Sequence, residues 1–442
     1  MSSYKRRKTP GNTDWFVRDR FGMFIHFGLY AMPARHEWVK SREIISEEKY
    51  DVYFRNFNPD LFDAKEWART AKAAGMKYCV LTTKHHEGFC LFDTKYTDYK
   101  ITNTPFGRDL VREYVEAFRA EGLKVGFYYS LLDWHHPDYV IDARHPLRCH
   151  PDGAALDAGR DMKKYAKYMR DQVRELMTNY GKIDILWMDF TPAANPNMPD
   201  WMRNGGAKNK EMWESEALIK MVRELQPGII INNRADLEQD IWTPEQYQPR
   251  EWQRHKETGE LVTWEACQTF SGSWGYYRDE YSWKSPEMLI DMLTNTVSCG
   301  GNLIMNVGPT ARGYFDHRAV EALGAYGEWM KYNSRSIYGC TMAEPGFKAP
   351  EGTVLTQSED EKRLYIHLQT YPFGTLRLHG VAKEDVEYVC FLSDGSEITY
   401  QGRLMNDGLT VDASGTEEKS ILLKLPTIPP KGLRPVIEVI LK

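Results

Sequence analysis

The sequence is poor in cysteine. It has seven in 442 residues, an odd number, and no two form a Cys-x-x-Cys pair. That pattern argues against a disulfide framework and against a structural zinc site. Long apolar runs are lacking too: none reaches the ~18 residues that a membrane-crossing helix needs. No apolar leader core follows Met1, so a cytoplasmic location is the default expectation. A secreted or periplasmic one would need a leader already removed. Positive charge is not concentrated. The formal net charge is −5, and the basic run Lys5-Arg6-Arg7-Lys8 reads as a solvated tail. Neither nucleic acid nor a membrane is an expected partner. The sequence gives no indication of oligomeric state.

Apolar and aromatic residues are plentiful. The 42% hydrophobic content can build a large core, and 13 Trp with 26 Tyr leave rings to spare. Flat rings cover the apolar C–H faces of sugars, so a sugar cleft is one use for them; core packing is the other. The length suits one barrel of about 250–350 residues plus an appendage.

Residues 1–340 alternate strand-like and helix-like segments. Short apolar runs fall at residues 21–29, 76–83, 125–132, 183–190, 229–233, 262–270 and 303–307. Amphipathic stretches lie between them, at 63–74, 109–120, 161–179, 211–225, 286–298 and 317–332. Glycines at 75, 122 and 181 close three of these, as helix C-termini prefer. Repeated β-α units predict a parallel sheet, and this many favour a (β/α)8-type barrel. Seven strands are readable; the eighth is not. Residues 341–442 have a different texture. Alternating segments at 363–368, 386–392 and 420–425, separated by Asp-Gly, Ser-Gly and Pro-Pro pairs, predict a C-terminal antiparallel β-sandwich.

A parallel barrel keeps its active site at the C-terminal ends of its strands. There the sequence gathers His26, His85, His86, Tyr128, Trp187, Asp189 and Arg234. Trp187 and Asp189 are two apart and share a strand face. An inward Asp beside an aromatic at a strand tip is a candidate nucleophile. A retaining glycosidase needs a second carboxyl about 5–5.5 Å away. Glu245, in Trp-Thr-Pro-Glu after the fifth strand, and Glu265, in Trp264-Glu265, both qualify, and position alone leaves them open. His26, His85, His86 and Asp189 could instead form a metal-hydrolase site. Against that, adjacent His85 and His86 would face opposite sides of a regular strand, and no His-x-His or His-Glu-x-x-His pattern occurs. Neutral His, Trp and Tyr groups suit sugar hydroxyls better, so no metal or other cofactor is expected.

The residues that carry this chemistry form an ordered set: FGMFIHFG at 21–28, Glu37-Trp38, KHHEGF at 84–89, and Trp187-Met188-Asp189. Trp264-Glu265, SWGY at 273–276 and GNLIMNVGP at 301–309 complete it. The set resembles the α-L-fucosidases of glycoside hydrolase family 29 over roughly residues 14–340. The resemblance implies a barrel with a C-terminal β-sandwich and exo-acting double-displacement hydrolysis of terminal α-L-fucosyl linkages. It makes Asp189 the nucleophile. It makes His26, Glu37, Trp38, His85, His86, Tyr128, Trp187 and Arg234 sugar contacts, and sets Trp274 against the C6 methyl. Glu245 is the better match for the acid/base, on a long loop over the barrel mouth. Glu265 is the reserve, expected deeper and fixing a hydroxyl or Arg234. Phe27 and Asn233 depart from the family's usual Trp and Asp, which bears on substrate choice rather than on the reaction. The competing readings are a barrel glycosidase for another sugar, a metal-dependent hydrolase and a non-catalytic sugar binder.

Overall fold

The computed structural model describes residues 4–202, 206–402 and 419–442. Among these, seven parallel strands form one sheet: β1 (Phe21–Ile25), β2 (Tyr78–Lys84), β3 (Lys124–Ser130), β4 (Ile185–Asp189), β5 (Ile230–Ile231), β6 (Glu265–Thr269) and β7 (Asn302–Val307). Their spatial order is β5-β4-β3-β2-β1-β7-β6. Each of the seven apolar runs of the sequence overlaps one.

The missing stave is residues 241–245. Isolated parallel bridges join Asn232 to Ile241 on one side, and Trp242 to Trp264 and Glu245 to Cys267 on the other. Cys267 N donates to Pro244 O at 3.1 Å, and Asp240 N to Ile231 O at 2.9 Å. This segment therefore fills the gap between β5 and β6 and closes the barrel. Pro244 has no N–H to give a ladder, so the stave stays irregular. Glu245, expected on a loop over the mouth, is instead the top residue of this stave.

Side chains alternate along the strands with period two. Phe24, Tyr78, Val80, Tyr128, Ile185, Trp187, Ile230, Ile241, Cys267 and Ile304 pack inside the barrel. Their neighbours Met23, Ile25, Leu81, Phe127, Leu186 and Met188 face outward, under the helices. Burying each large apolar side chain contributes about 1.5–3 kcal/mol.

The covering helices start where the sequence supplies caps. Asp63, Asp109, Asp161, Ser285 and Asp316 each accept a backbone N–H at the start of Ala64–Ala73, Leu110–Ala120, Met162–Asn179, Pro286–Ser298 and His317–Asn333. Gly75 follows the first of these with φ +87°, which a side chain would resist. The stretch expected as one helix at 211–225 is broken. Glu214 takes φ +49° between short Lys210–Trp213 and Ser215–Leu225, and its carboxylate pairs with Arg170.

From Cys340 onward the ladders are antiparallel. They comprise β8 (Cys340–Met342), β9 (Thr353–Ser358), β10 (Arg363–Leu368), β11 (Thr375–His379), β12 (Val386–Phe391), β13 (Tyr400–Gln401), β14 (Ser420–Lys424) and β15 (Val436–Leu441). Sheets β12-β15-β10-β9-β8 and β11-β14-β13 enclose their own core, including Leu364, Ile366, Leu378, Ile421 and Val439. The Ser414-Gly415 turn lies outside the described residues. Arg20 ties the two halves: its Nε donates to Cys340 O at 2.8 Å and its Nη1 to Gly300 O at 2.9 Å. Among the described residues no helix is long and apolar enough to cross a membrane.

Candidate active site

A small pocket opens at the C-terminal ends of the strands. Its wall includes His26, Trp38, His85, His86, Tyr128, Trp187, Asp189, Arg234, Glu245 and Trp274. Ten of the twelve expected site residues therefore meet here. Phe24, Phe190 and Cys267 also line the pocket, and the sequence reading missed them. Larger hollows lie elsewhere on the surface, but none of their walls carries this convergence of carboxyls, histidines and rings.

Asp189 ends β4 and its side chain is almost buried. Tyr128 OH donates to its Oδ2 at 2.8 Å, and Arg234 Nη1 to its Oδ1 at 2.8 Å. The same Nη1 donates to Glu245 Oε2 at 2.6 Å. Those two carboxyl oxygens are thus no further apart than about 5.4 Å, the sum of the two bonds. Arg234 is fixed from every side. Its Nε and Nη2 bond Thr243 at 3.0 Å each, and its guanidinium lies 4.4 Å over the Trp187 ring. Burial alone would lower its pKa; Asp189, Cys267 and Glu245 carry it above the ordinary value instead. The Glu245 side chain is 42% exposed against 11% for Asp189, so one carboxyl meets solvent and the other does not.

Two histidines have their tautomers set from behind. Asn306 Nδ2 donates to Trp274 O at 2.6 Å, leaving its Oδ1 to accept from His26 Nδ1 at 2.6 Å. Ser130 Oγ donates to Leu132 O at 2.9 Å, so its oxygen accepts from His86 Nδ1 at 2.7 Å. Both rings keep a bare Nε2 as an acceptor. Burial, and next the neighbouring His85, push both pKa values well down, so both stay neutral near pH 7. His85 and His86 were expected on opposite faces. Instead their ring centres lie 4.0 Å apart, because β2 ends at Lys84 and the chain turns at Gly88. Among the described residues no three His, Cys, Asp or Glu groups are arranged to hold a metal ion.

Two expected contacts lie outside the pocket wall. Glu37 Oε2 accepts from Ser273 Oγ, Trp274 N and Gly275 N at 3.2, 3.1 and 2.9 Å, which anchors the Trp274 loop. Gly308 lets that loop close in, since a Cβ there would meet Gly275 C at 2.6 Å. Glu265 lies deep, as expected, but with partners other than Arg234. As the first residue of β6 it sits low in the barrel, fully buried. Tyr78 OH donates to it at 2.5 Å and Trp187 Nε1 at 3.2 Å. It touches neither Arg234 nor the pocket; it supports Trp187 from below. Neither family departure lines the wall, although Asn233 adjoins Arg234. Phe27 packs outward against Phe57 and Trp67, and Asn233 meets Thr243.

The family model for α-L-fucosidase matches residues 2–335. The chain belongs to the α-L-fucosidase family. It is thus a glycoside hydrolase of the retaining class, on a (β/α)8 barrel with a C-terminal β-sandwich. α-L-Fucosidase isoenzyme 1 from Paenibacillus thiaminolyticus is 43% identical, covers 98% of this chain and 99% of its own, and superposes with a TM-score of 0.87. A family 29 α-L-fucosidase from Bacteroides thetaiotaomicron was trapped as a covalent intermediate with 2-fluoro-fucosyl fluoride, using a Glu-to-Gln mutant. It is 29% identical, covers 100% of this fucosidase and 98% of its own chain, and has a TM-score of 0.80. Human plasma α-L-fucosidase is 30% identical over 73% of this chain and 68% of its own.

Proposed function

We propose that this α-L-fucosidase is exo-acting and removes terminal α-L-fucose from fucosylated oligosaccharides or glycoconjugates, with Asp189 as nucleophile and Glu245 as acid/base. The observation that carries the assignment is the shared Arg234 Nη1, which keeps the two carboxyl oxygens within about 5.4 Å. That spacing fits the about 5–5.5 Å of retaining enzymes and leaves no room for the water of an inverting one.

Asp189 attacks the anomeric carbon while Glu245 gives its proton to the leaving oxygen. The glycosidic bond breaks and a fucosyl-aspartate ester forms. Glu245 then takes a proton from water, which attacks the same carbon and frees Asp189 with net retention. His26, His85 and His86 accept sugar hydroxyls, and Glu37 holds the Trp274 wall that meets the C6 methyl. Trp38, Tyr128, Trp187 and Arg234 complete the sugar pocket. The exposure of Glu245 suits a group that must reach both aglycone and water. We divide the chain near residue 340 into catalytic barrel and sandwich. The buried free thiols of Cys79, Cys90, Cys267, Cys340 and Cys390 fit a reducing compartment, so the cytoplasm is our assignment.

Azide separates the two candidate acids. Glu245→Ala should lose most activity on poor leaving groups and less on an activated aryl fucoside, and azide should restore turnover as a β-fucosyl azide. Glu265→Ala should show no rescue. Rescue confined to Glu265→Ala would overturn the Glu245 assignment.

A further inference from the structure

Glu87 closes the histidine pair of the KHHEGF run, and the proposed reaction gives it no part. Its side chain is 1% exposed, and neither carboxylate oxygen has a hydrogen-bond partner in the structure. A buried carboxyl left in that state is costly, so the position calls for a function. The group facing it is His85 Nδ1, 3.4 Å from Glu87 Oε2. That nitrogen is also buried and also lacks a partner. The separation is longer than a normal hydrogen bond, and a small ring rotation closes it.

The surroundings are built around this contact. The His85 ring lies between Tyr30, 5.1 Å away, and Tyr128, stacked at 5.7 Å. Gly28 has an extended backbone, which any residue could adopt. Yet a Cβ there would sit 2.9 Å from Glu87 Oε1 and 2.8 Å from the Tyr30 ring. Glycine at 28 therefore keeps space for the carboxyl beside His85. The other two pocket histidines set the pattern. His26 gives Nδ1 to Asn306 and His86 gives Nδ1 to Ser130, each leaving Nε2 free. His85 is the third, and Glu87 is the acceptor on its Nδ1 side.

We propose that Glu87 is the positioning residue of His85: its carboxylate accepts the Nδ1 proton, fixing the tautomer that turns a bare Nε2 toward a sugar hydroxyl. This rests on reading His85 as a sugar contact. All three pocket histidines then act as acceptors, which matches a substrate presenting hydroxyl protons.

The test uses the full chain with 15N-histidine and the variants Glu87→Leu, Glu87→Gln and His85→Ala. NMR should find the His85 proton on Nδ1 in the wild type. Glu87→Leu should lower kcat/KM on a nitrophenyl α-L-fucoside by about tenfold, mid-range for partners in one hydrogen-bond network. Its melting temperature should change little, since the desolvation cost of a buried carboxyl is removed together with its one hydrogen bond. Glu87→Gln keeps a carbonyl acceptor and should recover most of the loss. In the His85→Ala background, Glu87→Leu should cost nothing more. A proton on His85 Nε2, or the same cost with and without His85, would overturn the proposal. If Glu87→Leu does not fold, Glu87→Gln and the wild-type tautomer still decide. If the wild type cleaves no α-L-fucoside, the functional reading fails, while the tautomer still decides on Glu87.

Discussion

Glu265→Gln probes the carboxyl that the barrel keeps for itself. Glu265 is fully buried beneath Trp187, and burial raises its pKa from 4.5 to about 7. The bonds from Tyr78 and Trp187 pull the other way and do not prevail. The fold thus holds this proton more tightly than the unfolded chain does. Stability from it is complete below pH 4.5, falls as pH rises toward 7, and is flat beyond. The difference between 4.5 and 7 corresponds to about 3 kcal/mol. Glutamine resembles the protonated acid. Its carbonyl can accept from the Trp187 indole and its amide can donate to the Tyr78 oxygen. The variant should therefore escape the loss, and its melting temperature should gain on the wild type between pH 4.5 and 7. The assay is thermal unfolding of both proteins from pH 4 to 9, with kcat/KM on an aryl fucoside. Activity near pH 6 should stay within about fivefold, because Glu265 does not touch the pocket. Parallel stability profiles, or a loss of about a thousandfold that azide repairs, would refute the reasoning.

Trp274→Ala should narrow the preference for α-L-fucoside over α-L-galactoside, which differ by methyl against hydroxymethyl at C6. One apolar contact supplies about 1–2 kcal/mol, so the ratio of kcat/KM values should fall by about 5–30-fold. Equal losses on both sugars would show that the ring does not read the methyl. Chelators should leave activity unchanged, because His26 and His86 commit Nδ1 to Asn306 and Ser130, and among the described residues no three His, Cys, Asp or Glu groups are arranged to hold a metal ion. Inactivation by EDTA with recovery on added zinc would favour the metal reading.

The seven strands were legible because each is a short apolar run that buries both faces. Residues 241–245 were not: Thr243, Pro244 and Glu245 break both alternation and the ladder, so the stave exists only through its neighbours. The first layer of the site was legible because strand tips carry it and residue types announce sugar chemistry. The second layer was not. Asn306 and Ser130 act through His26 and His86, and such dependence leaves no spacing signal. Phe190 could have been suspected from its place after Asp189, but its φ of +73° could not be read from sequence. His85 and His86 misled because strand alternation was extended one turn too far. Glu265 was expected deep and lies deep, but its partners Tyr78 and Trp187 were not legible, because they come from other strands.

The central claim is that Asp189 carries the sugar between the two displacements. Incubating the enzyme with 2-fluoro-fucosyl fluoride, followed by digestion and mass spectrometry, tests it directly. The account predicts one fluorofucosyl adduct, on the peptide holding Asp189, and none on Asp189→Ala. An adduct on another carboxylate, or inactivation of Asp189→Ala at the wild-type rate, would contradict it.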